Sequence, residues 1–118
     1  MKTVIQQGLY ERSRETFEAV EDIEYVQIPV TDPDSMIAAQ QESDIMCFII
    51  GADVYPETFY ASLKQGSCVI RYGVGYDAVP VEVCKERGIL VANTPGTLDD
   101  SVAELAVGLM FACARHIS

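Results

Sequence analysis

Apolar positions along the chain switch repeatedly between a strand-like and a helix-like period. Residues 3–6 are a short apolar run, read as a strand. Residues 12–20 set Phe17 and Val20 on one side at helical spacing. Residues 24–30, EYVQIPV, alternate with period two and predict a second strand. Asp32-Pro33 suits an N-cap followed by proline in the first helical position, which predicts a helix to about Gln41. Residues 45–50 are continuously apolar, as a central parallel strand should be. Pro56 opens a further helix, stopped near Gln65-Gly66. A strand at 68–72, a short helix at 80–87 stopped by Gly88, and a strand at 89–92 follow. The longest helix is predicted over 101–116.

Five strands alternating with helices predict an α/β domain, a parallel doubly wound sheet with helices on both faces. For five strands the expected order is flavodoxin-like, ending here in a long apolar helix. That last helix is unusual. Val102, Ala103, Leu105, Ala106, Val107, Leu109, Met110, Phe111, Ala112, Cys113 and Ala114 leave it almost no polar side. A helix apolar all round requires cover on all sides. Another subunit or a further part of the protein is expected to supply it.

Composition adds mostly exclusions. The chain has 118 residues, one domain's worth, and a hydrophobic fraction of 49% that permits a packed core. Its 18 acidic against 8 basic residues give a net charge of -10 and offer no basic stripe for nucleic acid or anionic lipid. The first residues, MKTVIQQGLYERSRE, contain no apolar signal-peptide core, and the longest apolar stretch is too short to span a bilayer. Cysteines stand at 47, 68, 84 and 113, with no C-x-x-C spacing. Cys47, Cys68 and Cys113 lie in apolar runs and are read as small core residues of a reduced, cytoplasmic protein.

Chemistry is expected at the carboxyl ends of the strands. Arg71-Tyr72-Gly73-Val74-Gly75-Tyr76-Asp77-Ala78 lies there. Two glycines two apart let the backbone turn tightly and leave amides free for an anion. Three readings stay open for this loop: a plain tight turn, an anion-holding loop, and a dinucleotide fingerprint, Gly73-x-Gly75-x-x-Ala78. The fingerprint should open a long helix and find an acid some 20 residues on. The helix that follows is short, and the next strand ends Ala92-Asn93-Thr94.

The last helix opens with a candidate capping box, Ser101-x-x-Glu104, and Asp99 and Asp100 occupy the position its dipole favours. His116 falls in its last turn, where a cation is favourable. No metal-ligand cluster, P-loop or Ser/His/Asp arrangement is present. A phospho-receiver would need paired acids after the first strand, where Gln6-Gln7-Gly8 stands, and Asp53 has no acidic pair for magnesium. A flavodoxin would need a hydroxyl-rich loop in place of Gly8-Leu9-Tyr10-Glu11.

The run CVIRYGVGYDAVPVEVCKERGILVANTPGTLDDSVAELAVGLMFACAR resembles the D-isomer-specific 2-hydroxyacid dehydrogenases. GVGYD, KERGI, NTPG and SVAEL occur in that family's order and spacing. The resemblance covers about residues 45–118; residues 1–44 match only in rhythm. It implies a two-domain enzyme that transfers hydride between NAD or NADP and a small 2-oxo or 2-hydroxy acid. Residues 1–100 would be the flavodoxin-like substrate domain, and 101–118 the helix leading to a Rossmann domain not contained in this chain. It also implies substrate-binding roles for Gly73, Val74, Gly75 and Leu98, and places Val74, Asp99 and Ser101 near the cofactor. Leu98 is similar to the glyoxylate/hydroxypyruvate branch, and Gly51-Ala52 lack the Arg-Ser of relatives that take phosphorylated substrates. The family's catalytic arginine, glutamate and histidine correspond to no position here, so the chain alone is expected to be inactive and to bind no dinucleotide tightly. A homodimer, or self-association through residues 102–114, is expected. The alternative is a stand-alone module that binds a carboxylate or a protein without catalysis.

Overall fold

The computed structural model describes residues 1–29, 33–43 and 45–117. The five strands are β1 (Lys2–Gln6), β2 (Glu24–Ile28), β3 (Cys47–Ile50), β4 (Cys68–Arg71) and β5 (Leu90–Ala92). They form one parallel sheet in the order β2-β1-β3-β4-β5. This is the flavodoxin-like order expected from five βα repeats. The helices are α1 (Gln7–Arg12), α2 (Arg14–Glu18), α3 (Pro33–Ser43), α4 (Glu57–Ser62), α5 (Val81–Glu86) and α6 (Asp99–Arg115).

The period-two rule explains why the sheet is buried on both faces. Val4, Phe48, Ile50 and Val69 point to one side, where Met36 of α3, Phe59 and Tyr60 of α4 and Cys84 of α5 close the larger core. Their neighbours Ile5 and Ile49 point to the other side, against Leu9 of α1 and Phe17 of α2. Tyr10, Phe17 and Tyr25 stack there, with centroids 5.2–5.8 Å apart. Burial pushes the phenols of Tyr55 and Tyr60 up to about 12, so both stay neutral in the larger core.

Several expectations are corrected. The helix expected over 12–20 begins earlier, directly after β1, and breaks at Ser13 (φ -125°) into α1 and α2. Val20 lies past its end and is exposed, so it does not share the buried side of Phe17. Pro56 caps α4 rather than starting it. Pro33 opens α3 as expected, whereas the cap assigned to Asp32 lies outside the described residues. The capping box at Ser101 does not form. Asp99 and Asp100 tolerate the first turn because the dipole favours them, so α6 starts two residues earlier, with Leu98 as its cap. Ser101 is therefore already helical. The helix stops before His116, which takes a left-handed conformation (φ 54°) without a glycine.

Helix α6 leaves the body of the molecule. No residue in it is buried, and it stretches the molecule to 57 × 33 × 23 Å. The radius of gyration is 17.1 Å, against about 13 Å for a compact domain of ~100 residues. Cys113, expected in a core, is exposed on this helix. Among the described residues, no helix is long and apolar enough to cross a membrane.

Candidate functional site

In this strand order the first crevice at the carboxyl ends lies between β1 and β3, where the chain direction of winding reverses. Here the buried Gln6 side chain fills it. Its Oε1 accepts the Gly51 amide at 2.7 Å and its Nε2 donates to Asp53 Oδ2 at 2.8 Å. A Cβ on Gly51 would lie 2.5 Å from that oxygen. A side chain at 51 would therefore have to displace the Gln6 amide, and Gln6, Gly51 and Asp53 together occupy the crevice. The open space is displaced toward β4 and β5.

There the loop after β4 is fastened to the segment after β5. Thr94 donates its amide to the Gly73 carbonyl at 3.0 Å, and Asn93 Nδ2 donates to the Val74 carbonyl at 2.8 Å. Thr97 Oγ1 in turn donates to the Thr94 carbonyl at 3.0 Å, which holds the 94–97 turn. Both loop carbonyls are engaged. Among the described residues, the Val74 and Gly75 amides have no hydrogen-bond partner. Gly73 has φ 144°, a conformation that side chains rarely adopt, and its missing Cβ leaves room for the Arg71 guanidinium. That guanidinium donates to the Tyr72 carbonyl.

An open groove of about 500 Å³ runs along one side of this loop, lined by Val74, Leu98, Asp99, Val102, Ala103 and Ala106. It brings together three residues singled out in the sequence: Val74, Leu98 and Asp99. Ser101 does not line it. Gly75 lies instead on a second, smaller hollow of about 200 Å³ with Ala52, Arg71, Asp77 and Ala78. The sequence reading did not single out Asn93, Thr94, Arg71 or Asp77 for a role here. Asn93 sat in plain view at the end of β5, but its partner is 19 residues away.

The loop lacks two features of a dinucleotide fingerprint. α5 has six residues, and Pro80 stands at its cap. β5 runs into Asn93 with no acid for a ribose. Among the described residues, no three His, Cys, Asp or Glu gather to hold a metal. Substituting Gly73 by alanine is expected to destabilise the chain by about 1–3 kcal/mol, since the backbone would be strained even after Arg71 swings away. Chemical denaturation of the variant against the parent chain measures this, and an unchanged midpoint would contradict it.

Comparison with known proteins identifies relatives for this arrangement. The family model for the D-isomer specific 2-hydroxyacid dehydrogenase catalytic domain matches residues 4–115. A hydroxypyruvate reductase of Thermotoga maritima is 40% identical over 74% of this chain and 28% of its own length. A glyoxylate reductase of Thermococcus litoralis is 32% identical over 98% of this chain and 35% of its own. The chain thus spans about a third or less of these curated relatives. The crystal structure of an NAD+-bound 3-phosphoglycerate dehydrogenase of Entamoeba histolytica superposes with a TM-score of 0.67 at 28% identity, over 95% of this chain and 38% of that one.

Proposed function

The chain belongs to the D-isomer specific 2-hydroxyacid dehydrogenases, and from that membership we propose that it is the substrate-side portion of an oxidoreductase acting on a small 2-oxo or D-2-hydroxy acid. Residues 1–100 are assigned to the substrate domain and residues 101–118, which contain most of α6, to the connection with the cofactor side. The family's enzymes use NAD or NADP, which supplies or receives the hydride. Val74 and Asp99, which line the groove, and Ser101 in the first turns of α6 are assigned to the wall that faces it.

One observation carries the reading. The glycine loop has its carbonyls tied back through Thr94 and Asn93, which leaves two successive amides without a partner among the described residues, that of Val74 beside the groove and that of Gly75 beside the smaller hollow. Two adjacent amides held this way match the two oxygens of a carboxylate, and fixed donors bind an anion without reorganising. Leu98 offers the substrate's other end an apolar wall, and 51% of it is exposed. Such a wall suits a short uncharged side chain and gives a phosphate no partner. A glyoxylate- or hydroxypyruvate-sized substrate is therefore favoured. The titratable side chain on this groove is Asp99, which stands in the favoured first turn of α6; the general acid or base is assigned to groups outside these residues. The protein works in the cytoplasm, in keeping with its four free cysteines, and as a homodimer or larger assembly through residues 102–114.

Titrating the purified chain with oxamate, a non-reacting 2-oxo acid mimic, tests the assignment. The amide signals of Val74 and Gly75 are expected to shift first, with weak, millimolar binding. No turnover is expected with NADH and glyoxylate, hydroxypyruvate or pyruvate. Shifts confined to other loops would overturn the carboxylate site, and turnover well above background would overturn the division of catalytic groups.

A further inference from the structure

At the end of the sheet opposite the glycine loop, a second group of reactive side chains stands in one row. Thr3, Cys47 and Cys68 are register partners across β1, β3 and β4. The period-two rule puts all three on the face that carries Ile5 and Ile49, away from the larger core. Adjacent strands lie about 4.8 Å apart, so in-register thiols on one face are neighbours. Each thiol is among the groups that shift the other's ionisation, as neighbours on one face would. Both are free and half-buried.

The third member of the row strengthens the case. The Thr3 side chain is almost fully buried (1% exposed), and its hydroxyl has no hydrogen-bond partner among the described residues. It is the register partner of Cys47, whose ionised form it favours. Burial pushes both thiols up, so at neutral pH they are held as S–H and are poor targets for reagents that need a single thiolate. A reagent that engages both sulfurs at once gains from their fixed spacing, because the second bond forms intramolecularly. Zinc does not fit, since it takes four ligands and no third His, Cys, Asp or Glu is near among the described residues.

We propose that Cys47 and Cys68 form a dithiol site that captures trivalent organoarsenicals, with the Thr3 hydroxyl beside Cys47 in the same row. The step is a condensation. Two S–H bonds and the As–O bond break, two As–S bonds form, and both protons leave with the oxygen as water. Arsenic stays trivalent, so no oxidant or reductant is required. The site lies a strand's length from the carboxylate loop, and it does not depend on the function proposed above.

Phenylarsine oxide is the probe, used on the folded chain in a Cys113→Ser background so that exposed thiols cannot bridge two molecules. Intact-mass analysis should show one adduct per chain, with two of the three remaining thiols lost to a thiol-counting reagent. The adduct should survive excess 2-mercaptoethanol and be removed by 2,3-dimercaptopropanol. Cys47→Ser and Cys68→Ser should each weaken capture at least 100-fold, while Cys84→Ala leaves it unchanged. Thr3→Val, which keeps both thiols and the strand's shape, should slow capture several-fold. Circular dichroism establishes that each variant is folded before its result is read. No adduct on the folded parent, or an adduct that persists in folded Cys47→Ser, would overturn the proposal. An adduct removed as readily by the monothiol as by the dithiol would do the same.

Discussion

In size-exclusion chromatography with light scattering, the chain is expected to run above its 13.0 kDa monomer mass, and two lysines on one side of α6 to return it to that mass. Val102, Leu105, Val107, Leu109, Met110 and Phe111 are each 50–69% exposed. Burying a side chain of this kind contributes about 1.5–3 kcal/mol. A contact between two chains that covers half of each helix therefore contributes on the order of 5–10 kcal/mol. That is comparable to the roughly 4–15 kcal/mol that association costs in lost freedom. The assembly is thus reversible and falls apart on dilution. Leu105→Lys with Leu109→Lys changes one side of the helix, since residues four apart share a face. Val107→Lys with Phe111→Lys changes the other. Either pair moves the net charge from -10 to -8, toward neutrality, so loss of association cannot be put down to added repulsion. Because no residue of α6 is buried against the domain, neither pair should lower the melting temperature measured at concentrations where the parent is also monomeric. The pair that yields the monomer identifies the contact face. A parent chain at 13.0 kDa at the highest attainable concentration would refute the prediction.

That exposed helix also shows how far the pattern of residues could be read. The sheet was legible because each strand carries its own signal: continuous apolar runs for β3 and β4, alternation for β2, and a glycine stop before β4 and β5. Strand order followed from repeating βα units. The apolar character of α6 was equally plain, and so was its lack of cover. What could not be read depends on single hydrogen bonds or cap geometry. The break at Ser13 has no glycine or proline to announce it. The first turn of α6 holds two aspartates, and a serine two positions on looks like a better cap than the leucine that serves. The candidate site divides in the same way. Gly73-Val74-Gly75 advertises itself, whereas Asn93 and Thr94 matter only because β5 brings them beside that loop. Gln6 and Gly51 meet in the neighbouring crevice across 45 residues of sequence, which no local motif records.

The largest loss of stability is expected from Phe59→Ala, in the layer that holds α4 against the sheet. Phe59 is fully buried and stands at the centre of an aromatic group. Its ring lies 5.8 Å from Phe48, 5.1 Å from Tyr55 and 5.1 Å from Tyr60, edge-on or tilted to each. Removing it deletes the transfer energy of the ring and leaves a cavity, typically about 3–5 kcal/mol for Phe to Ala. Collapse cannot recover much of this. Tyr55 and Tyr60 carry buried hydroxyls with no partner among the described residues, and moving either ring into the gap would leave them no better satisfied. Domains of this size have about 5–15 kcal/mol in hand, so at the lower end the variant should keep less than about half of the parent's margin. A fall in melting temperature of roughly 10–20 °C follows from about 3–5 °C per kcal/mol. Val54→Ala is the control: Val54 is 81% exposed three residues past Gly51, and its loss should stay within about 0.5 kcal/mol. Thermal melts followed by circular dichroism separate the two. A Phe59→Ala melt within a few degrees of the parent would mean that the larger core does not depend on this ring, and that α3 and α5 hold the sheet without it.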